Sequence, residues 1–237
     1  CFADNIVYSF GGRYDFQMHN PWGYQYNLTD TIVNDFYSLN VNNNIYSTTT
    51  WDTLSTLNAP SPRINPIMHW TGNKLLVYGG YTFSNNIYNS GNSSSKVFLN
   101  DGGIYDPLTN SWSTITSPSN NDSVGIDNYA HVWTGNELII WGGHDAQINI
   151  INTGASYNPN TNIWTKLPTS NIRPTEYMYY YYNGSEMVIL SDYSIISGTY
   201  NGPNGWGITQ ETERYNITTN TWNSYSNLSG VDFGIHP

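Results

Sequence analysis

Apolar residues fall in short runs bounded by Gly, Asn, Asp and Pro, and no stretch of useful length keeps the 3.6-residue spacing of a helix. The runs pair up. Ile67–Trp70 (IMHW) and Lys74–Tyr78 (KLLVY) flank Thr71-Gly72-Asn73, and Ala130–Trp133 and Glu137–Trp141 flank Thr134-Gly135-Asn136. Met178–Tyr182 and Glu186–Leu190 flank Asn183-Gly184-Ser185 in the same way. Each pattern predicts a tight hairpin. A Gly-Gly pair then closes the second run at Gly11-Gly12, Gly79-Gly80 and Gly142-Gly143, with Ser191-Asp192 in the fourth slot. Such pairs predict positive φ or close backbone approach. After a loop of variable length comes a second hairpin, YDPLTNSW (105–112), YNPNTNIW (157–164) or YNITTNTW (215–222), with Tyr seven residues before Trp. Asp or Asn opens its turn by bonding local backbone, and Pro sets φ where present. Alternation within the runs is weak, as expected of sheets buried on both faces.

The chain therefore reads as four repeats, at roughly 1–58, 59–118, 119–170 and 171–230, each of four short strands. The marker residues Trp51, Trp112, Trp164 and Trp222 are 61, 52 and 58 residues apart. The first unit is expected to lack its opening strand and to carry a longer turn before Trp51. The order of hydrophobic run, Gly-Gly, variable loop, Tyr-Asp-Pro and spaced Trp resembles the kelch family, and the resemblance covers nearly the whole chain. It implies an all-β, kelch-type β-propeller of four-stranded antiparallel blades, about four of them visible, as a single domain over 1–237. Kelch propellers commonly have six or seven blades. Two arrangements fit: a fragment of a larger propeller, or a compact ring in which the tail SGVDFGIHP closes the first blade.

Composition narrows the partners. Aromatics reach 16% and charged residues only 10%, which is not a disordered profile. The net charge of −10 with seven Lys plus Arg leaves no basic stripe, so neither nucleic acid nor anionic lipid is an expected partner. No apolar run has membrane length. The one cysteine, Cys1, allows no internal disulfide and no cysteine-based metal site. A lipid-modified Cys1 would be expected to precede a flexible spacer, whereas a strand-like run starts at Asn5. With 34 Asn and 48 Ser plus Thr, chance alone yields about seven Asn-x-Ser/Thr sequons, and the six present carry no signal. Low Lys and high Asn, Ser, Thr and Tyr lean toward an extracytoplasmic location, secreted or at the cell surface.

In such a fold the hairpin turns share one end of the blades, and the post-Gly-Gly loops and inter-blade links share the other. The loops 13–34, 81–101, 144–152 and 193–211 differ in length and sequence, and variable loops on a rigid scaffold are the usual seat of binding. Candidate binding residues are Arg13, Tyr14, His19, Trp22, Tyr81, His144, Asp145, Tyr193 and Trp206, joined by Arg63, Asp127 and Arg173 from the links. Arg63 and Arg173 could instead make structural hydrogen bonds between blades, and the loop aromatics could pack their own loops or form a stacking platform for sugar or peptide. The recurring Trp112, Trp164 and Trp222 read as packing residues.

Some kelch-like propellers carry a copper-radical site that needs a Tyr–Cys cross-link within the fold, which Cys1 does not supply. The five His show no metal-ligand spacing, and Asn120–Asn128 lacks the pattern of a calcium loop. No nucleophile elbow, P-loop or dinucleotide fingerprint occurs, and no cofactor is expected. Loop-side carboxylates such as Asp15, Asp30, Asp145 and Glu211 could cleave a glycoside only if two of them converge. The leading expectation is a non-catalytic module that binds protein or glycan. A carbohydrate-active enzyme, since some kelch-like propellers act on sugars such as sialic acid, and an assembly protein that self-associates through an incomplete ring are the alternatives.

Overall fold

The computed structural model describes residues 1–3, 5–14, 17–19, 25–27, 30–41, 50–83, 87–88, 96–118, 128–145, 149–170, 178–191 and 211–226. The chain divides into two compact units, Cys1–Ser117 and Pro118–Pro237. The architecture is all-β, and no helix occurs among the described residues.

The first unit contains β1 (Phe2–Ala3), β2 (Ile6–Tyr14), β3 (Gln17–His19), β4 (Gln25–Asn27), β5 (Asp30–Asn40), β6 (Asp52–Thr53), β7 (Ile67–Trp70), β8 (Leu75–Tyr78), β9 (Tyr81–Phe83), β10 (Ile87–Tyr88), β11 (Lys96–Phe98), β12 (Gly102–Asp106) and β13 (Ser111–Ile115). Its first sheet runs β1-β2-β5, and β6 and β10 pair with different ends of β5. Its second sheet runs β7-β8-β12-β13. The second unit contains β14 (Ala130–Trp133), β15 (Leu138–Trp141), β16 (Gly154–Asn158), β17 (Ile163–Lys166), β18 (Met178–Tyr182), β19 (Glu186–Ser191), β20 (Glu211–Asn216) and β21 (Thr221–Ser226). They form two four-stranded antiparallel meanders, β14 to β17 and β18 to β21.

The first repeat departs from its reading in two respects. Its opening strand is present: β1 pairs Phe2 with Val7 and Ala3 with Ile6, with Asn5 at φ 62° in the turn. Two residues are too few to display alternation, which hid the strand. Its second strand also does not stop at Gly11-Gly12 but bulges between Phe10 and Gly12 and continues to Tyr14 beside the eleven-residue β5.

The second hairpin has one construction in three repeats. Tyr105, Tyr157 and Tyr215 donate through Oη to Oδ1 of Asn110 (2.8 Å), Asn162 (2.9 Å) and Asn220 (2.7 Å). Those asparagines take positive φ of 48°, 56° and 54°, a region Asn enters more readily than other non-glycine residues. At the turn's start, Asp106, Asn158 and Asn216 accept through Oδ1 from the backbone N–H of Leu108, Asn160 and Thr219, each at 2.9 Å. Burial pushes the Tyr157 phenol up to about 12. Each Tyr ring leans on the Trp opposite it, at 5.1 to 5.3 Å between centroids.

Among the described residues an aromatic core forms in each unit. In the first unit Tyr8, Phe10 and Phe36 pack against Leu75, Val77, Tyr105 and Trp112. In the second, Ala130, Val132, Ile139 and Trp141 pack with Met187, Ile189 and Tyr215, and Met178, Tyr180, Tyr182 and Trp222 lie against them. The indole of Trp112 donates to Ser55 O (2.8 Å) and that of Trp222 to Pro168 O (2.9 Å), so each pins its sheet to the chain leaving the preceding repeat. Trp51 has the matching sequence position but is 48% exposed.

His69 on β7 is mostly buried, and desolvation holds its pKa down to about 4 from 6.5. The unfolded chain binds a proton there before the folded one does. Stability should therefore fall as pH drops from about 6.5 toward 4, by up to about 3 kcal/mol. Urea titrations from pH 7 to 4 should show this decline, flattened in His69→Gln; an equally steep decline in that variant would assign the effect to other groups.

Candidate interaction surface

Within each antiparallel meander, the turns joining strands one to two and three to four lie at one end. The connection from strand two to strand three lies at the other, with the inter-repeat links. The turn end is uniform. Thr71, Thr134 and Asn183 hold the first hairpin by accepting from the N–H of Lys74 (3.2 Å), Glu137 (3.0 Å) and Glu186 (2.8 Å). A polar bridge ties this turn to the second hairpin: Lys74 to Asp106 (3.2 Å), Asn158 to Glu137 (3.4 Å) and Arg214 to Glu186 (3.7 Å). The Lys74 ammonium holds Asp106 below the usual carboxylate range.

The loop end is not uniform. In the first unit it carries structure of its own: the β3–β4 ribbon, the β9–β11 ribbon, and β10, which leaves the second repeat's loop and pairs Ile87 with Thr31 and Tyr88 with Asp30 on β5. An excursion from one repeat is thus sewn to the sheet of the repeat before it. At the root of the β9–β11 ribbon, Tyr81 exchanges backbone hydrogen bonds with Ile64 of the link (2.8 and 3.0 Å). The Tyr81 ring meets Phe83 at 5.7 Å and Phe98 at 6.4 Å, both edge-on, and Lys96 Nζ sits 4.5 Å over it. This cation–π contact covers one face of the Tyr81 ring. Val97 beside it is 44% exposed.

The other candidates fall out differently. Arg13 is exposed on the extended part of β2, in register with Ile32 of β5; Tyr14 ends that strand and His19 ends β3. Arg63 is fully buried. Its guanidinium donates to Ser61 O (2.9 Å), Ser61 Oγ (3.1 Å), Gly79 O (3.0 Å), Asp101 O (3.0 Å) and Asp101 Oδ1 (3.0 Å). It therefore clamps the link onto the Gly-Gly corner and the start of β12. His144 is 92% buried, at 8% exposure, and bridges Ile150 across a short hairpin. Asp145 closes that hairpin, accepting from the Asn149 backbone N–H (2.8 Å) and side-chain amide (3.0 Å). Trp22, Asp127, Arg173, Tyr193 and Trp206 lie outside the described residues. Sequence reading passed over Lys96, Phe98 and Asp101. Asp101, which directly precedes Gly102-Gly103 in the repeat, was the one open to inference as a partner for Arg63.

The domain family described as the KLHDC2/KLHL20/DRC7 Kelch-repeats domain matches residues 1–176. This chain belongs to the kelch-repeat family. No curated protein matches it. Among solved structures 126 chains match. One of them, described as the structure of YjhT, is 16% identical with a TM-score of 0.53 over 86% of this chain, a likeness of fold. The chain spans 64% of that structure's length. The meanders are thus kelch blades, the Gly-Gly pair marks the exit of the second blade strand in the second and third repeats, and the YNPNTNIW-type segment is the second hairpin of its blade. Among the described residues no three His, Cys, Asp or Glu side chains stand close enough to hold a metal ion, and no helix is long and apolar enough to cross a membrane.

Proposed function

We propose that the chain is a non-catalytic protein-binding module that recognises its partner through the loop end of its blades. The observation that carries this reading is the asymmetry between the two ends. The turn end repeats one hydrogen-bonding scheme, while the loop end of the first unit holds two ribbons and a strand shared between repeats. Kelch-repeat domains generally mediate protein interactions. A preordered surface with an aromatic–cation cluster at Tyr81, Lys96 and Phe98 suits that role, since ordering done in folding need not be repeated on binding.

The reading is tested by selecting binders from a displayed peptide library on the intact chain and measuring affinity for variants. Lys96→Ala, Trp22→Ala and Trp206→Ala should weaken a selected peptide, at least one of them about tenfold or more. Leu108→Ser, at a turn-end residue 92% exposed, should leave it unchanged. Weakening by Leu108→Ser alone would reverse the assignment of ends. A glycan array run in parallel separates the two ligand classes: glycan binding without peptide binding would replace protein by carbohydrate as the partner.

A further inference from the structure

The links that enter the second and fourth blades run Ala59-Pro60-Ser61-Pro62-Arg63 and Thr169-Ser170-Asn171-Ile172-Arg173. Pro60 and Ser170 hold one repeat position, three residues before an arginine, and both are gripped alike. Asn34 Nδ2 donates to Pro60 O and Asn152 Nδ2 to Ser170 O, each at 3.4 Å. The two asparagines are themselves equivalent, within Val33-Asn34-Asp35 and Ile151-Asn152-Thr153.

What faces this position differs. Two residues before the motif tyrosine stand Gly103, Ala155 and Glu213 in the second, third and fourth repeats. A Cβ on Gly103 would come within 3.0 Å of Pro60 Cγ and of Trp112 Cε3, so the proline ring and the indole fill that space. In the fourth repeat a carboxylate fills it. Glu213 is 1% exposed and accepts from Ser170 Oγ and, at 2.8 Å, from Ser224 Oγ; Ser170 is 2% exposed. A buried carboxylate is tolerated only where it is hydrogen-bonded, so its hydroxyl partners are a condition of its presence.

We propose that Glu213 is a positioning residue. Its carboxylate clasps the link at Ser170 and, through Asn152, fixes Ile151–Thr153, where the chain returns from the loop end of the second unit to β16. The Ser170–Glu213 pair is the polar equivalent of Pro60 packed on Gly103. The functional weight of this clasp rests on the reading of the loop end as the recognition surface; the clasp itself does not.

The test is an exchange of one solution for the other in the full chain, with Glu213→Gly, Ser170→Pro and the double variant, read by hydrogen exchange and urea midpoint. Glu213→Gly should speed exchange of the Ile151 and Leu167 amides, which close the loop and the link, by roughly tenfold. Ser170→Pro alone should also destabilise, since it removes a donor from a buried carboxylate. The double variant should return exchange to within about threefold of wild type. Glu213→Gln, which keeps an acceptor, should fall between wild type and Glu213→Gly. Exchange in the double variant as fast as in Glu213→Gly, or an unchanged loop in Glu213→Gly, would overturn the proposal. If Glu213→Gly does not fold, folding of the double variant supports the clasp and its failure to fold overturns it. Binding does not enter these readouts, so a failed clasp and a failed recognition surface give different results.

Discussion

Arg63→Ala is expected to destabilise the first unit by about 3–5 kcal/mol. The side chain is fully buried and meets three carbonyls, a hydroxyl and a carboxylate. The Asp101 side chain is 48% exposed, so water can take up its charge once the arginine is gone. The larger share of the loss comes from the buried Gly79 carbonyl, which loses its Arg63 donor, and from the void of a large side chain; the Asp101 carbonyl keeps the Gly79 N–H and Ser61 is exposed to water. Arg63→Lys keeps the charge but cannot spread its donors over the same fork, and should lose at least half as much. Urea unfolding followed by exchange at the Gly12 and Tyr81 amides, both bonded to the link, locates the damage. A loss under about 1 kcal/mol for Arg63→Ala would mean that Arg63 is not the structural clamp described above.

Gly102→Ala should be comparably severe, at roughly 4 kcal/mol. Its new Cβ would stand 2.2 Å from the Val77 carbonyl oxygen and 2.9 Å from Tyr78 Cα. Both are backbone atoms of the neighbouring strand, so no rotamer change relieves the overlap and β8 must part from β12. Gly135→Ala is the matched control: its φ of +98° is strained for alanine, but nothing lies within 4 Å, and about 1 kcal/mol is expected. Similar losses for the two variants would show that backbone freedom, and not close approach, sets the requirement for glycine at 102.

The repeating parts of this fold were readable because they are local. Tyr157, Asn158, Asn162 and Trp164 meet within eight residues, and each Gly-Gly pair adopts the positive φ its composition suggested. What escaped was non-local or too short. Strand β1 has two residues, and the β3–β4 and β9–β11 ribbons have three per strand, below the length at which alternation shows. The pairing of Ile87 with Thr31 joins residues from different repeats and has no local signature. Glu213 stands out only when the repeats are aligned, as the one acid in a column of Gly and Ala. Arg63 was open to two readings because an arginine at a link serves a ligand or a carbonyl cluster equally well in sequence. Its burial and its five hydrogen bonds place it in the clamp. The aromatic loop residues divide likewise: Tyr81 engages both the Ile64 backbone and the Lys96 ammonium, a pairing no spacing rule could have matched.

The claim that recognition belongs to the loop end is tested most directly by the hydrogen-exchange footprint of a bound partner. The probe is a peptide selected on the intact chain, compared at saturation with the free protein. Protection is predicted in segments 13–34, 81–101, 144–152 and 193–211, with the turns at 71–74, 107–110, 134–137, 159–162, 183–186 and 217–220 exchanging as in the free chain. Protection confined to those turns, with the loop segments unchanged, would contradict it.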